Sequence, residues 1–274
     1  MKKISIIGLG WLGLPLANAL VSDGLQVVGS KVTPDGIDAA RNSGIECYYL
    51  NLTPAVECAS DDLAQLMQDT DILLIMLPPS KIGASNYIEA IQQLVDSALS
   101  YHVPRIMFIS STSVYGSING LINEDAPLSP ETESARALVE VERWLHQLPN
   151  VSIDILRLAG LVGNKRHAGR FLAGKKALTG GAQPINLVHQ DDVIDAIRLL
   201  IKRPNGGHIY NLCAPEHPDK ATFYQQAARN LQLVPPEFIA TDNSHGKVID
   251  GSRICKQLGF EYQYPDPAKM PMSI

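Results

Sequence analysis

Apolar and polar positions follow one another in short blocks along this chain. Residues 3–7 are an apolar run that reads as a strand. Residues 11–21 have helical spacing, with Leu12, Leu16, Ala19 and Leu20 on one side, and Gly24 stops them. A second strand is expected at 25–28, a short helix at 35–42 ended by Gly44, a third strand at 47–50 and a helix at 61–67. Residues 71–77 form a strongly apolar fourth strand closed by Pro78 and Pro79. A long amphipathic helix at 87–100 carries Ile88, Ile91, Leu94, Val95 and Leu99. A fifth strand at 105–110, a helix at 135–148 and a sixth strand at 152–158 continue the alternation. Strands that are apolar throughout and alternate with amphipathic helices predict a parallel sheet covered on both faces. With right-handed crossovers, the expected fold class is α/β, a doubly wound parallel sheet of Rossmann type.

Beyond Leu158 the rhythm loosens. Helices are expected at 191–202, 222–231 and 252–258, the last with Ser252 as N-cap and Gly259 as its stop, and a strand at 209–212. The expected organisation is a dinucleotide-binding domain over 1–162, with 187–212 returning to it. Segments 163–186 and 213–274 then form a small substrate-side lobe at the carboxyl ends of the strands. The 274 residues suffice for one large or two unequal domains. A net charge of −5 argues against a nucleic-acid binder, and no apolar run approaches the length of a membrane span. The N-terminus lacks the long apolar stretch of a signal peptide. Cys47, Cys58, Cys213 and Cys255 are too widely spaced for a metal site and read as reduced thiols of a cytoplasmic protein.

The first strand runs directly into Gly8-Leu9-Gly10-Trp11-Leu12-Gly13, a G-x-G-x-x-G that opens a helix. In that context the pattern points to dinucleotide binding. Gly8 allows a tight turn, Gly10 lets backbone approach a pyrophosphate, and Gly13 lets helix and sheet pack closely. Trp11 and Leu12 between them, and Leu77 and Pro78 after the fourth strand, are expected cofactor contacts. The second strand is followed by Gly29-Ser30-Lys31-Val32-Thr33, without the carboxylate that usually receives the ribose 2′-hydroxyl of NAD. Ser30 and Lys31, with Thr33, suit a 2′-phosphate, so NADP(H) is favoured over NAD(H). The alternative is that Lys31 is a solvated surface lysine.

After the fifth strand comes Ser110-Ser111-Thr112-Ser113-Val114-Tyr115-Gly116, a cluster of hydroxyls where a nicotinamide would lie. This stretch, with Glu124-Asp125, Arg157, Gly163, the segment 187–193 and Tyr210-Asn211, resembles the short-chain dehydrogenase/reductase superfamily in its extended epimerase/dehydratase branch. Within it, the glycine loop, Gly29-Ser30-Lys31, the serine cluster, 155–163, and the closing Ile249-Asp250-Gly251-Ser252-Arg253 are similar to an atypical subgroup, the YeeZ-like proteins. The resemblance implies a Rossmann-type fold, a nicotinamide cofactor and Ser111 as the counterpart of the catalytic Ser/Thr. Ser113 and Tyr115 are candidate assistants. The branch also uses a Tyr-x-x-x-Lys pair on the next helix. An ungapped match puts Ser134 at the tyrosine and Leu138 at the lysine, and residues 117–150 contain neither Tyr nor Lys. Thr112 and Ser113 stand where sugar dehydratases carry Asp and Glu. A homodimer through the helices 87–100 and 135–148 is what fold analogy implies.

Between Asn164 and Lys176 lie Lys165, Arg166, His167, Arg170, Lys175 and Lys176. Arg166 and Arg170 are candidates for holding an anionic small-molecule substrate; the alternative is a solvated loop. His189 precedes Asp191 and Asp192 at a helix start, where the carboxylates suit capping, and is a weaker substrate-side candidate. Two functions fit: an atypical NADP(H)-dependent reductase or epimerase, or a dinucleotide-binding sensor that no longer transfers hydride.

Overall fold

The computed structural model describes residues 1–53, 55–79, 83–239 and 245–273. Its strands are β1 (Lys3–Ile7), β2 (Gln26–Lys31), β3 (Glu46–Tyr49), β4 (Asn51–Thr53), β5 (Ala55–Glu57), β6 (Ile72–Ile75), β7 (Arg105–Ser111), β8 (Gly120–Ile122), β9 (Ser152–Leu158), β10 (Gly160–Val162), β11 (Leu187–His189), β12 (Ile209–Leu212) and β13 (Lys247–Ile249). Its helices are α1 (Gly13–Ser22), α2 (Pro34–Asn42), α3 (Ser60–Met67), α4 (Ala84–Ser100), α5 (Glu133–Leu145), α6 (Gln190–Lys202), α7 (Lys220–Asn230) and α8 (Ser252–Leu258). Seven strands form one parallel sheet in the order β12-β9-β7-β6-β1-β2-β3, flanked by helices. The reversal of strand order beside β1 creates the crevice where such sheets bind ligands. β1, β6 and most of β7 are buried along their length, as apolar runs covered on both faces require.

The element types match the sequence expectation and the boundaries shift by a few residues. β2 runs on to Lys31 rather than ending at Val28. The β4–β5 hairpin, β8, β10, β11 and β13 were not expected, because three-residue strands carry no readable period. Gly259 is left-handed (φ 68°) and ends α8 as expected. Ser252 is the first helical residue rather than the cap, and its N–H donates to Asp250 Oδ1 at 2.8 Å.

The chain divides into two compact units. Unit 1 comprises Met1–Val114, Pro130–Leu156 and Ile197–Ile209; unit 2 comprises Tyr115–Ser129, Arg157–Ala196 and Tyr210–Ile274. The second unit is larger than the expected lobe. It takes residues 115–129, whose β8 pairs in parallel with β13, and residues 157–162, whose β10 pairs with β11. Within unit 1, Lys3 Nζ donates to the carbonyls of Gln65 and Gln68 (2.8 and 2.7 Å), satisfying the C-terminal end of α3. α4 and α5 pack together, and their outward positions Asn86, Glu89, Asp96, Arg136, Glu140 and Arg143 are polar and exposed. Unit 2 has its own core of Val162, Ala168, Ile185, Leu187, Ala214, Phe223 and Met270.

Candidate functional site

The three glycines of the first loop have three different surroundings. Gly8 has φ 107°, and a Cβ there would lie 3.0 Å from Leu77 Cδ2 and 3.4 Å from the Met76 carbonyl oxygen. A Cβ at Gly13 would come within 2.2 Å of the Gly8 oxygen, so the helix start presses on the turn. At Gly10 a Cβ would meet nothing within 4 Å. The loop is closed beneath and open only at its middle glycine. α1 begins there with Leu12 as N-cap, no side chain capping it and no acidic residue in its first turn. Its N–H groups and the positive end of its dipole are a favourable place for phosphate oxygens. The residues present therefore fit a dinucleotide: the cradle tolerates no side chain at Gly8 or Gly13 and leaves room for an anion over Gly10. Trp11 is half-buried and Leu12 buried.

The end of β2 corrects one expectation. Ser30 was expected to contact the cofactor phosphate. Its side chain is instead buried and its Oγ accepts the N–H of Gly8 at 3.2 Å, while its carbonyl accepts the N–H of Leu9 at 2.9 Å. The strand extends three residues further than expected, so Ser30 faces inward and braces the glycine turn. Lys31 is half-buried at the strand end. Thr33 caps α2, accepting from the Gly36 N–H at 3.2 Å.

Leu77 and Pro78 follow β6, and Leu77 lies beside Gly8. The residue that sequence reasoning missed here is Tyr87. Its buried hydroxyl donates to the Leu77 carbonyl at 2.8 Å and holds that segment. A tyrosine on the apolar face of a predicted helix was the available signal, since a buried phenol needs a partner.

At the end of β7, Ser111 Oγ accepts the N–H of Ser113 at 3.1 Å and opens a 3₁₀ turn over Thr112–Tyr115. Ser111 is half-exposed and Ser113 exposed. Ser110 points the other way and donates to Glu142 Oε1 at 2.5 Å, a buried pair linking β7 to α5. Ser134 is half-buried in the first turn of α5, after the N-cap Thr132. Leu138, which the ungapped match sets opposite the lysine, is buried.

In unit 2, Tyr115, a candidate assistant of Ser111, has its hydroxyl engaged inside the protein. It is fully buried; its hydroxyl donates to Asn211 Oδ1 and accepts from Arg157 Nη1, both at 2.8 Å. Burial pushes its phenol up, with Arg157 and Asn211 pulling the other way. Glu124 joins the same network: Oε1 accepts the Asn211 N–H at 2.8 Å and Oε2 pairs with Arg253 Nε at 3.1 Å. Burial raises its carboxyl despite those partners.

His189 is also buried and engaged. Its Nε2 meets the Pro271 carbonyl at 2.8 Å, so that nitrogen carries the proton, and Nδ1 accepts the Asp191 N–H at 3.2 Å. Through Pro271 it tethers the C-terminal segment. Arg166 and Arg170 are exposed on the basic loop. The Arg166 guanidinium lies 5.9 Å from the Phe171 ring centre. His167 caps the turn between them, its Nδ1 accepting from Gly169 at 3.0 Å, and burial followed by Arg170 lowers its basicity.

Among the described residues no group of three or more His, Cys, Asp or Glu is placed to hold a metal, and no helix is long and apolar enough to cross a membrane. The four cysteines are free thiols.

A family model for the NAD dependent epimerase/dehydratase family matches residues 4–213. The chain belongs to that family. Protein YeeZ of Escherichia coli (strain K12) is 57% identical over 275 residues, covering 99% of this chain and 100% of its own. A short-chain dehydrogenase/reductase superfamily protein from Agrobacterium tumefaciens, solved with bound NAD, superposes with a TM-score of 0.76 at 18% identity, covering 96% of this chain and 93% of its own. The UDP-glucuronic acid 4-epimerase of Bacillus cereus in complex with NAD gives 0.77 at 20% identity, covering 98% and 97%. At those identities the two structures speak for the fold.

Proposed function

We propose that the protein binds NADP(H) in preference to NAD(H) and is an oxidoreductase or epimerase acting on a small, anionic or nucleotide-linked substrate. The observation that carries this reading is the glycine cradle, closed at Gly8 and Gly13 and open at Gly10 over the uncapped start of α1. The end of β2 adds Lys31 and no carboxylate, which suits a 2′-phosphate better than a 2′-hydroxyl. The NAD named with the structural relatives supports a dinucleotide in general. Exposed Arg166 and Arg170 would draw an anionic substrate.

Bound nicotinamide supplies a hydride donor or acceptor. Ser111 would hold the reacting oxygen: its Oγ already accepts from the Ser113 N–H, which leaves its own proton to donate. Ser134 and Leu138 supply neither the phenol nor the ammonium of the family pair, so the proton would pass to water. General acid–base help contributes roughly 10²–10⁴-fold, and turnover should be slow by about that factor. The buried Leu138 favours a second reading, a sensor that binds the dinucleotide without turnover.

Titration with NADPH, followed by assay against carbonyl, sugar-nucleotide and quinone panels, separates the two. The enzyme reading expects turnover that Ser111→Ala lowers at least ~10-fold with NADPH affinity intact. NADPH binding without turnover on any panel would favour the sensor. Robust turnover indifferent to Ser111→Ala would remove Ser111 from the chemistry. Ser134→Tyr with Leu138→Lys should raise a weak reductase activity if these positions correspond to the family pair.

A further inference from the structure

A glycine in a helix is destabilising relative to alanine, so one that persists in a first turn calls for a reason. α2 carries such a residue, Gly36, two places after Pro34. Its φ is not in the left-handed region, so backbone freedom is not that reason. Its surroundings are. A Cβ on Gly36 would lie 2.7 Å from Lys31 Cδ, 2.7 Å from Thr33 Oγ1 and 3.6 Å from Lys31 Cε. The missing side chain is the shelf across which the hydrocarbon stem of Lys31 runs. Long basic side chains commonly bury the stem in this way and leave the charged head in water. Lys31 is accordingly half-buried although it ends its strand at the surface.

We propose that Gly36 is a specificity-determining positioning residue: by carrying no side chain it seats the Lys31 stem and so sets where the ammonium meets the 2′-phosphate. The proposal rests on the NADP(H) reading above and goes beyond it, since it assigns the selectivity to a residue that does not touch the cofactor. Alanine at 36 would press on two groups: the Lys31 stem, which is the movable part of a lysine and would be displaced, and Thr33 Oγ1, which caps α2 by accepting the N–H of residue 36. The ammonium would then be present but misplaced.

The test is a double-mutant cycle read by calorimetric binding rather than by turnover. Parent, Gly36→Ala, Lys31→Ala and the double variant are each titrated with NADPH and with NADH. Gly36→Ala is expected to weaken NADPH about tenfold, as loss of one charge-assisted hydrogen bond would, and to leave NADH within about twofold. The double variant should bind NADPH no more weakly than Lys31→Ala alone, because both changes remove the same interaction. The thermal midpoint of Gly36→Ala, set by alanine's better helix propensity against crowding of the Thr33 cap, is read alongside to separate a loss of fold from a loss of selectivity. A selective loss in Lys31→Ala with none in Gly36→Ala, or additive losses, would overturn the role of Gly36 and keep the NADP(H) reading. Equal losses for both cofactors in Gly36→Ala would mean that the change acts on the fold. Lys31→Ala without selectivity would overturn the NADP(H) reading and this inference with it.

Discussion

Ser30 and Lys31 are neighbours with different tasks. Ser30 is buried and accepts the Gly8 N–H; Lys31 reaches the surface across Gly36. Ser30→Ala should therefore weaken NADPH and NADH alike, by about 1 kcal/mol or roughly fivefold, as loss of one neutral hydrogen bond implies. Parallel titrations check it, and a loss confined to NADPH would return Ser30 to the phosphate. Ser5, in the middle of β1, is fully buried and its Oγ has no hydrogen-bond partner among the described residues. Burying such a hydroxyl costs about 1–3 kcal/mol, partly offset by the packing its atoms provide. Ser5→Ala is expected to raise the urea midpoint, with a gain on the order of 1 kcal/mol; a lowered midpoint would reveal a partner for the hydroxyl. The glycine loop was legible in the sequence because strand, spacing and helix start are local. Tyr115 was not, because Arg157 and Asn211, which engage its hydroxyl, lie 42 and 96 residues away.

At the scale of elements, buried polar groups mark where strands are tied together. Arg105 on β7 donates from Nε to Asp154 Oδ2 on β9 at 2.7 Å and from Nη1 to the Arg203 carbonyl at 2.9 Å. Asp154 Oδ1 accepts the His208 N–H at 3.1 Å. Both side chains are nearly inaccessible, at 6% and 0%. A Cβ on Gly206 would lie 2.9 Å from each of these two charged groups. Removing one member leaves the other charge buried, which costs about 3–5 kcal/mol. Asp154→Ala should lose that much in denaturant unfolding, and a loss under 1 kcal/mol would show that water reaches the site. In unit 2, Asn186 does for β13 what a neighbouring strand would do. Its amide donates to the Lys247 carbonyl and accepts the Ile249 N–H, both at 2.7 Å. The alternation of apolar strands and helices announced the main sheet; β8, β10, β11 and β13 exist only through such tertiary partners.

Across the whole molecule the net charge of −5 is modest, and single buried carboxylates matter more for pH dependence than the total. Burial pushes the Asp192 carboxyl up to about 6, although the N–H groups of Gln263 (2.6 Å) and Tyr264 (3.3 Å) favour its charged form. A carboxyl raised in the folded state binds a proton more readily folded than unfolded between about pH 4 and 6. Its contribution is fully present below the unfolded value and is lost as pH rises through about 6. The size is on the order of 2–3 kcal/mol. Asp192→Asn should flatten the stability profile across that window, measured as urea midpoints from pH 4 to 7, and an unchanged profile would assign the decline to another group.

The central claim is that the open glycine turn receives a dinucleotide pyrophosphate, and one calorimetric titration meets it directly. Parent protein and Gly10→Val are titrated with NADPH under identical conditions. Because a Cβ at Gly10 meets no protein atom within 4 Å, the valine should leave the fold intact and occupy only the space proposed for the phosphates. Saturable binding to the parent, abolished in a variant with an unchanged thermal midpoint, is the expected result. Equal affinity in the two proteins would contradict the account and leave the glycines as a turn alone.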